Sequence, residues 1–297
     1  METKRYSEIV ALVKAALAED IGPGDLTSIA CLEPNPVKAR VVAKSSGILS
    51  GLIPFALAIE IVDSANTVNP LLKDGERFDA GDTIIELDAF NQTLLAAERV
   101  ALNFLAHLSG VATLTGRFVQ KIGPADCRLL DTRKTTPGFR YLEKMAVKHG
   151  GGDNHRMGLY DMILIKDNHI ASAGSIEKAV RMAREMMQTS DFRIQFERKA
   201  DDVKIEVEVT SADQLREAIA AGIDRLLLDN QSIDSLRELV DLARGLDPRV
   251  ELEASGNVSL ETVADIAATG VDFISIGALT HSAPACDFSM QVLEDEG

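Results

Sequence analysis

Cysteine is scarce, basic residues are outnumbered, and long apolar runs are missing; each shortage closes off a class of protein. Cys31, Cys127 and Cys286 stand far apart in the 297 residues and match no C-x-x-C or Cys/His ligand spacing. A thiolate metal site is therefore not expected, and ordinary reduced core thiols are. Lys and Arg number 31 against 46 Asp and Glu, a formal net charge of −15. That balance speaks against a nucleic-acid partner, which needs a broad basic surface. The longest uncharged stretch, near residues 45–59, is too short to span a bilayer and contains Gly47, Gly51 and Pro54. The first twenty residues are charged and amphipathic, unlike a signal segment. No membrane partner and a cytoplasmic, reducing location are the expectations. Neither low-complexity segments nor short repeats occur.

What is present has a clear order. Residues 7–18 read as an amphipathic helix closed by the turn IGPGDLTS. Residues 37–88 are strand-like in texture, with glycine turns between short β-branched runs. The following segment, TLLAAERVALNFLAHLSGVATLTGRFVQKI, has helical spacing, and Ser109-Gly110 is expected to divide it into two helices. A domain boundary is placed near 110. Beyond Gly123 the apolar runs CRLLDTR, MILIKDN, KIEVEV, RLLLDN, VELEAS and FISIGA appear. Helical stretches separate the later ones. Ser211 with Gln214 fits a capping box, and Gly222 and Gly270 fall where helix C-termini need them. Repeated βα units mean a parallel sheet. Each run ends in a polar residue or glycine, at Asp131 and Arg133, Lys166, Glu208, Asp229, Ser255 and Gly277. Six consecutive strand ends bearing chemistry favour an α/β barrel, whose C-terminal strand ends converge, over an open sheet with one switch crevice. The length allows only six or seven strands.

The segment DTRKTTPGFRYLEKMAVKHGGGDNHRMGLYDMILIKDNHI gathers Arg133, Lys134, His155, Arg156 and Lys166 in an otherwise acidic protein. Such a cluster suits a small ligand with several negative charges, Arg holding carboxylates as a fork and Lys acting as a point charge. Lys166 ends a continuous apolar strand, which places its stem in the barrel and its ammonium at the mouth. Glu208 and Asp229 end the next two strands. They could bind ribose hydroxyls, hold Mg²⁺ with substrate phosphates, or stabilise an oxocarbenium ion; salt bridges to Lys166 or Arg133 are the plainer alternative. Ser255-Gly256-Asn257 and Gly277-Ala278 follow the last two strands, where backbone amides can wrap a phosphate. His281, just beyond, could join them or be an ordinary surface residue.

These residues carry a resemblance. DTRKTTPGFR, GGGDNHRMGL and LIKDNH, then EVEV, LLLDN, LEASGN and ISIGALTH in that order, are similar to the quinolinate phosphoribosyltransferase family. EDIGPGDLTS and AERVALNFLAHLSG extend the likeness over nearly the whole chain. The resemblance implies an N-terminal α/β sandwich domain over 1–110, completed by 282–297, and an incomplete six- or seven-stranded α/β barrel over 111–281. It implies transfer of phosphoribose from 5-phosphoribosyl 1-pyrophosphate to quinolinate with loss of CO₂, in NAD biosynthesis. Mg²⁺ would be carried by substrate, with Glu208 and Asp229 as the side chains within possible reach. It also implies a homodimer in which Arg99 enters the partner's site. Lys134, Lys166, Glu208 and Asp229 are then the catalytic candidates. Arg99, Thr132, Arg133, His155, Arg156, Ser255, Gly256, Asn257, Ile276, Gly277, Ala278 and His281 complete the substrate contacts, His155 being counted among the cations.

One stretch departs from the family pattern. QTSDFRIQFERKADDV, residues 188–203, is longer than the family needs and reads as an exposed excursion. Rival readings are a paralogue acting on another substrate such as nicotinate, a sugar-phosphate sensor on a degenerate barrel, and an aldolase-like barrel using Lys166. The first would lose the dicarboxylate cations, the second Glu208 or Asp229, and the third lacks a supporting motif.

Overall fold

Residues 2–293 are described in the computed structural model of the chain. Two compact units form: one from residues up to 116 with 135–152 and those from 278 onward, the other from 117–134 and 153–277.

The first unit begins with α1 (Glu2–Ile21) and α2 (Leu26–Cys31). Strands β1 (Pro36–Ala43), β2 (Gly47–Ile48), β3 (Thr67–Pro70), β4 (Arg77–Phe78) and β5 (Thr83–Phe90) follow, with α3 (Leu52–Val62) between β2 and β3. α4 (Asn91–Ile122) leaves the unit; α5 (Arg140–His149), α12 (Ala278–His281) and β12 (Phe288–Val292) return to it. The sheet has the order β12-β1-β5-β3, antiparallel throughout, so the C-terminal strand does join the N-terminal sheet. Of the expected completing tail, residues 294–297 lie outside the described residues.

Two expectations fail here for physical reasons. Within the stretch read as strand-like, α3 forms because LIPFALAIEIV is apolar nearly all round, a pattern with no period to read. Ser109 and Gly110 do not break α4, which runs 32 residues without interruption. Their smallness serves packing: Ser109 is buried, its hydroxyl donating to Ser50 O and accepting from Ser50 N. A Cβ on Gly110 would stand 2.3 Å from Pro284 O. The chain therefore passes residue 110 inside one helix. The unit runs on to 116 and takes back 135–152, which the sequence assigns to the barrel.

In the second unit the six runs become β6 (Arg128–Leu130), β7 (Ile163–Ile165), β8 (Ile205–Val209), β9 (Arg225–Asp229), β10 (Glu251–Ser255) and β11 (Phe273–Ser275). All are parallel, in the order β6-β11-β10-β9-β8-β7. α6 (Asp167–Ala173), α7 (Ile176–Met187), α8 (Ser190–Phe196), α9 (Ala212–Ala220), α10 (Ile233–Leu246) and α11 (Val263–Ala267) fill the crossovers. Ser211 caps α9 by accepting from Gln214 N, but the Gln214 side chain reaches back to Thr210 N, one residue short of a full box. Residues 188–203 are mostly exposed, as the sequence suggests, but α8 buries Phe192, whose ring lies 5.1 Å from Phe196.

β6 and β7 are the two edges of the sheet, yet the sheet is curled. In a flat sheet β6 and β8 would be about 19 Å apart, four strand spacings. His155, in the loop hydrogen-bonded beside β6, nevertheless lies 3.1 Å from Glu206 on β8 and 3.5 Å from Glu253 on β10. Only closure into an incomplete barrel permits both contacts. Residues sharing a face through the parallel register then turn inward together: Leu164 with Glu206, Glu208 with Leu227 and Glu253, and Asp229 with Ser255 and Ser275.

Candidate active site

The strand alternation that makes this fold also orders its interior by depth. Along β8, Glu206 and Glu208 point the same way, the first fully buried and the second half-buried nearer the C-terminal end.

At the mouth, the loop after β6 carries Thr132, Arg133 and Lys134. Asp131 is fully buried and accepts from His155 N at 2.9 Å and Asn154 Nδ2 at 2.6 Å, so it pins the GGGDNHR loop to β6. Thr132 Oγ1 accepts from Lys134 N at 3.0 Å, turning the chain so that Lys134 is exposed. Arg133 Nε is buried and without a hydrogen-bond partner. Leaving such a donor unpaired costs about 1–3 kcal/mol, which an anionic ligand would recover. Arg156 Nη1 donates to Met162 O at 3.2 Å. Burial, and after it the like charge of Arg133, hold the Arg156 guanidinium below its ordinary range. Two guanidiniums placed to repel one another in a protein of net charge −15 form a prepared anion seat.

Lys166 caps β7 and its ammonium bonds Glu208 Oε2. The salt bridge considered from sequence is thus present. Asp229 Oδ2 accepts from Asn230 Nδ2 at 2.7 Å, and Asn230 N donates to Ser255 O at 2.8 Å. Asn230 Oδ1 also accepts from Asn257 Nδ2 at 3.2 Å. Asn230 and Asn257 both adopt left-handed backbone, with φ of 53° and 51°. Ser255, Gly256 and Asn257 are therefore locked to the end of β9 through Asn230. Ile276 is buried and donates its amide to Leu130 O at 2.9 Å, which fixes the start of the Ile276-Gly277 turn beside β6.

Below this layer lies a charged floor. Glu206 and Glu253 are fully buried. Burial pushes both carboxyls up to about 7, Arg225 opposing it for Glu206 and Glu206 adding to it for Glu253. Arg225 stacks 4.1 Å over the Phe273 ring, donates to Glu253 at 3.1 Å and grips Glu251 with two nitrogens. Neither oxygen of Glu206 meets an aligned N–H or O–H.

The second unit holds Thr132, Arg133, Lys134, His155, Arg156, Lys166, Glu208, Asp229, Ser255, Gly256, Asn257, Ile276 and Gly277. His155 differs from expectation: its ring is buried, with Nδ1 accepting from Arg156 N at 2.7 Å and Nε2 facing carboxyls. Arg99, Ala278 and His281 belong to the first unit. Arg99 stands 74% exposed on α4, 3.9 Å from Glu98, and exposed His281 shares a 2.6 Å bond with Ser282. Sequence reasoning missed Asn154, Arg225, Asn230 and Glu253 as parts of the site; it places Glu206 on the same strand face as Glu208 but prefers Glu208, the residue nearer the strand's C-terminal end. Glu206 and Glu253 carried a signal, charge at alternate positions of strands otherwise buried on both faces. A cleft of about 450 Å³ in this unit lies by Asp224, before β9, and holds none of these residues. The cysteines are not uniformly core thiols: Cys31 is exposed, and burial pushes Cys127 up to about 12.

An incomplete α/β barrel with cations crowded on its first strand ends and carboxylates on the next defines a barrel protein for small polyanionic ligands. Residues 25–109 match the N-terminal domain, and residues 111–291 the C-terminal domain, of quinolinate phosphoribosyl transferase. The chain belongs to that family. The probable nicotinate-nucleotide pyrophosphorylase [carboxylating] of Bacillus subtilis is 42% identical over 289 residues, covering 97% of this chain and 94% of its own. A mitochondrial quinolinate phosphoribosyltransferase [decarboxylating] of Nicotiana tabacum is 36% identical over 304 residues, covering 96% and 82%. The structure of the nicotinate-nucleotide pyrophosphorylase from Francisella tularensis superposes with a TM-score of 0.89 at 41% identity, covering 97% of both chains. Among the described residues no helix is long and apolar enough to cross a membrane.

Proposed function

We propose that this chain is a decarboxylating quinolinate phosphoribosyltransferase acting in NAD biosynthesis. The observation that carries this, beside family membership, is the buried, partnerless Arg133 Nε next to the Arg156 guanidinium, a seat for adjacent carboxylates. In this reading Arg133, Arg156 and Lys166 hold the quinolinate carboxylates, and Arg99 of a second copy in a homodimer completes them. Thr132 and Lys134 meet phosphate oxygens. Glu208 and Asp229 hold the ribose diol, while amides of Ser255, Gly256, Asn257, Ile276 and Gly277 seat the 5′-phosphate.

The ring nitrogen of quinolinate bonds to the anomeric carbon of 5-phosphoribosyl 1-pyrophosphate as the bond to pyrophosphate breaks. Glu208 and Asp229 face the positive charge developing on the sugar. The ring nitrogen, now quaternary, draws the electron pair of the breaking bond to the 2-carboxylate. CO₂ leaves, a proton replaces it, and nicotinate mononucleotide results. The chain supplies positioning and electrostatics.

Mg²⁺ would enter this reading with the substrate, supplying positive charge against the leaving pyrophosphate. The support is that Glu208 is engaged by Lys166, and one oxygen of Asp229 by Asn230, so the pair is not a vacant oxygen cage. A cytoplasmic setting suits reduced cysteines. The test is a timed incubation with quinolinate, 5-phosphoribosyl 1-pyrophosphate and Mg²⁺ beside one with nicotinate. Quinolinate-dependent nucleotide supports the reading; turnover of nicotinate alone contradicts it.

A further inference from the structure

His155 sits where the family pattern counts a cation, but its surroundings are those of a neutral ring. Its Nδ1 accepts the Arg156 amide proton at 2.7 Å, so that nitrogen carries no proton of its own. An imidazole with one bare nitrogen is uncharged, and its single proton is on Nε2. That Nε2 faces Glu206 Oε2 at 3.1 Å and Glu253 Oε2 at 3.5 Å. The carboxyls of Glu206 and Glu253 converge within 4.8 Å of each other and of the ring nitrogen, both fully buried, and two buried carboxyls that close are held at least cost by sharing one proton.

Groups from several strands meet His155. From β6, Asp131 takes the His155 backbone N–H; from β8 and β10 come Glu206 and Glu253; from β9, Arg225 bonds Glu253 on its far side. Arg156 follows in the chain. Near neutral pH one shared proton leaves the carboxyl pair with a single negative charge, and Arg225 and Lys204 together balance that charge and the carboxylate of Glu251. The floor is then neutral, and it does not draw on the positive charge of Arg133, Arg156 and Lys166 above it.

A metal ion is the other occupant these groups suggest, since their ligand atoms converge within 4.8 Å. It would need the Nε2 lone pair, yet a ring whose Nδ1 already accepts keeps its proton on Nε2. Arg225 also fills the remaining side of Glu253. A proton, not a metal, fits the triad.

We propose that His155 is a neutral positioning residue: clamped between the Arg156 amide and the Glu206–Glu253 carboxyl pair, it fixes the direction of the Arg156 guanidinium and adds no charge of its own. The inference rests on the reading of Arg156 as a carboxylate-binding residue.

The test is ¹⁵N NMR of the full chain labelled at its five histidines, the His155 signals being those lost in His155→Gln. Expected is a bare Nδ1 and a protonated Nε2, unchanged between about pH 6 and pH 8. Protonation of both nitrogens near neutral pH, or the opposite tautomer, overturns the proposal. Kinetics give a second arm. His155→Gln, which can still donate and accept, should keep kcat/KM for quinolinate within about tenfold of wild type, the loss falling on KM. His155→Lys, which keeps charge and loses the acceptor, should lose about a hundredfold or more. If Lys substitutes better than Gln, the ring acts as a cation and the proposal fails. Absence of turnover in the wild type would strike the enzymatic reading instead, and the NMR result would stand on its own.

Discussion

A Cβ placed on Gly256 would stand 2.0 Å from Oδ1 of Asn230. The two loops that end β9 and β10 therefore interlock through this glycine, and its φ of 92° would add backbone strain to the clash in any substitution. Gly256→Ala should lower stability by about 1–3 kcal/mol and raise KM for 5-phosphoribosyl 1-pyrophosphate more than KM for quinolinate. Thermal denaturation and initial-rate kinetics check both parts. Equal effects on the two KM values would detach these loops from phosphate.

Lys166 and Arg133 should each be indispensable. Lys166 joins the end of β7 to Glu208 on β8, and Arg133 holds a buried unpaired donor toward ligand. Lys166→Ala and Arg133→Ala are each expected to lose more than about tenfold in kcat/KM, at least 1.4 kcal/mol of transition-state stabilisation. If both stay within tenfold, the cations serve the fold and not the substrate.

The carboxyl pair makes stability depend on pH in a stated direction. Glu206 and Glu253 have folded values raised from 4.5 to about 7. The native state then holds protons that the unfolded chain has released. Stability from this source is complete below about pH 4.5 and is lost as pH climbs through about 7. Glu206→Gln removes one titrating group, so the fall in melting temperature between pH 5 and pH 8 should be shallower than in wild type. Identical slopes would show that the pair does not titrate in this range.

Much of this was legible in the chain, and what was not has identifiable causes. The six barrel strands and their polar ends could be read because a βα crossover imposes both a run length and an end residue. Lys166 stood out as a charge ending a fully apolar strand. Asn230 did not, because its importance lies in a left-handed backbone and a contact with a residue 27 positions away. Gly110 misled, since a glycine inside a helix signals a break or a close approach alike, and Pro284 decides which. His155 was identified as a site residue, but its proton cannot be placed without the Arg156 amide beside it.

Arg99 offers a test of assembly. It is exposed on α4, 3.9 Å from Glu98. If a second copy's site requires it, Arg99→Ala and Lys166→Ala will each be nearly inactive alone. Mixed and re-equilibrated, they should recover up to about a quarter of wild-type activity, because half the dimers are mixed and each has one intact site. No recovery, in mixtures shown to exchange subunits, would place Arg99 outside the partner's site.

The central claim is tested most directly by following carboxyl-labelled quinolinate and counting labelled CO₂ against nicotinate mononucleotide formed. One CO₂ per nucleotide, dependent on 5-phosphoribosyl 1-pyrophosphate, is the result expected of these paired cations and carboxylates. Nucleotide without CO₂, or nicotinate consumed in preference to quinolinate, would contradict it.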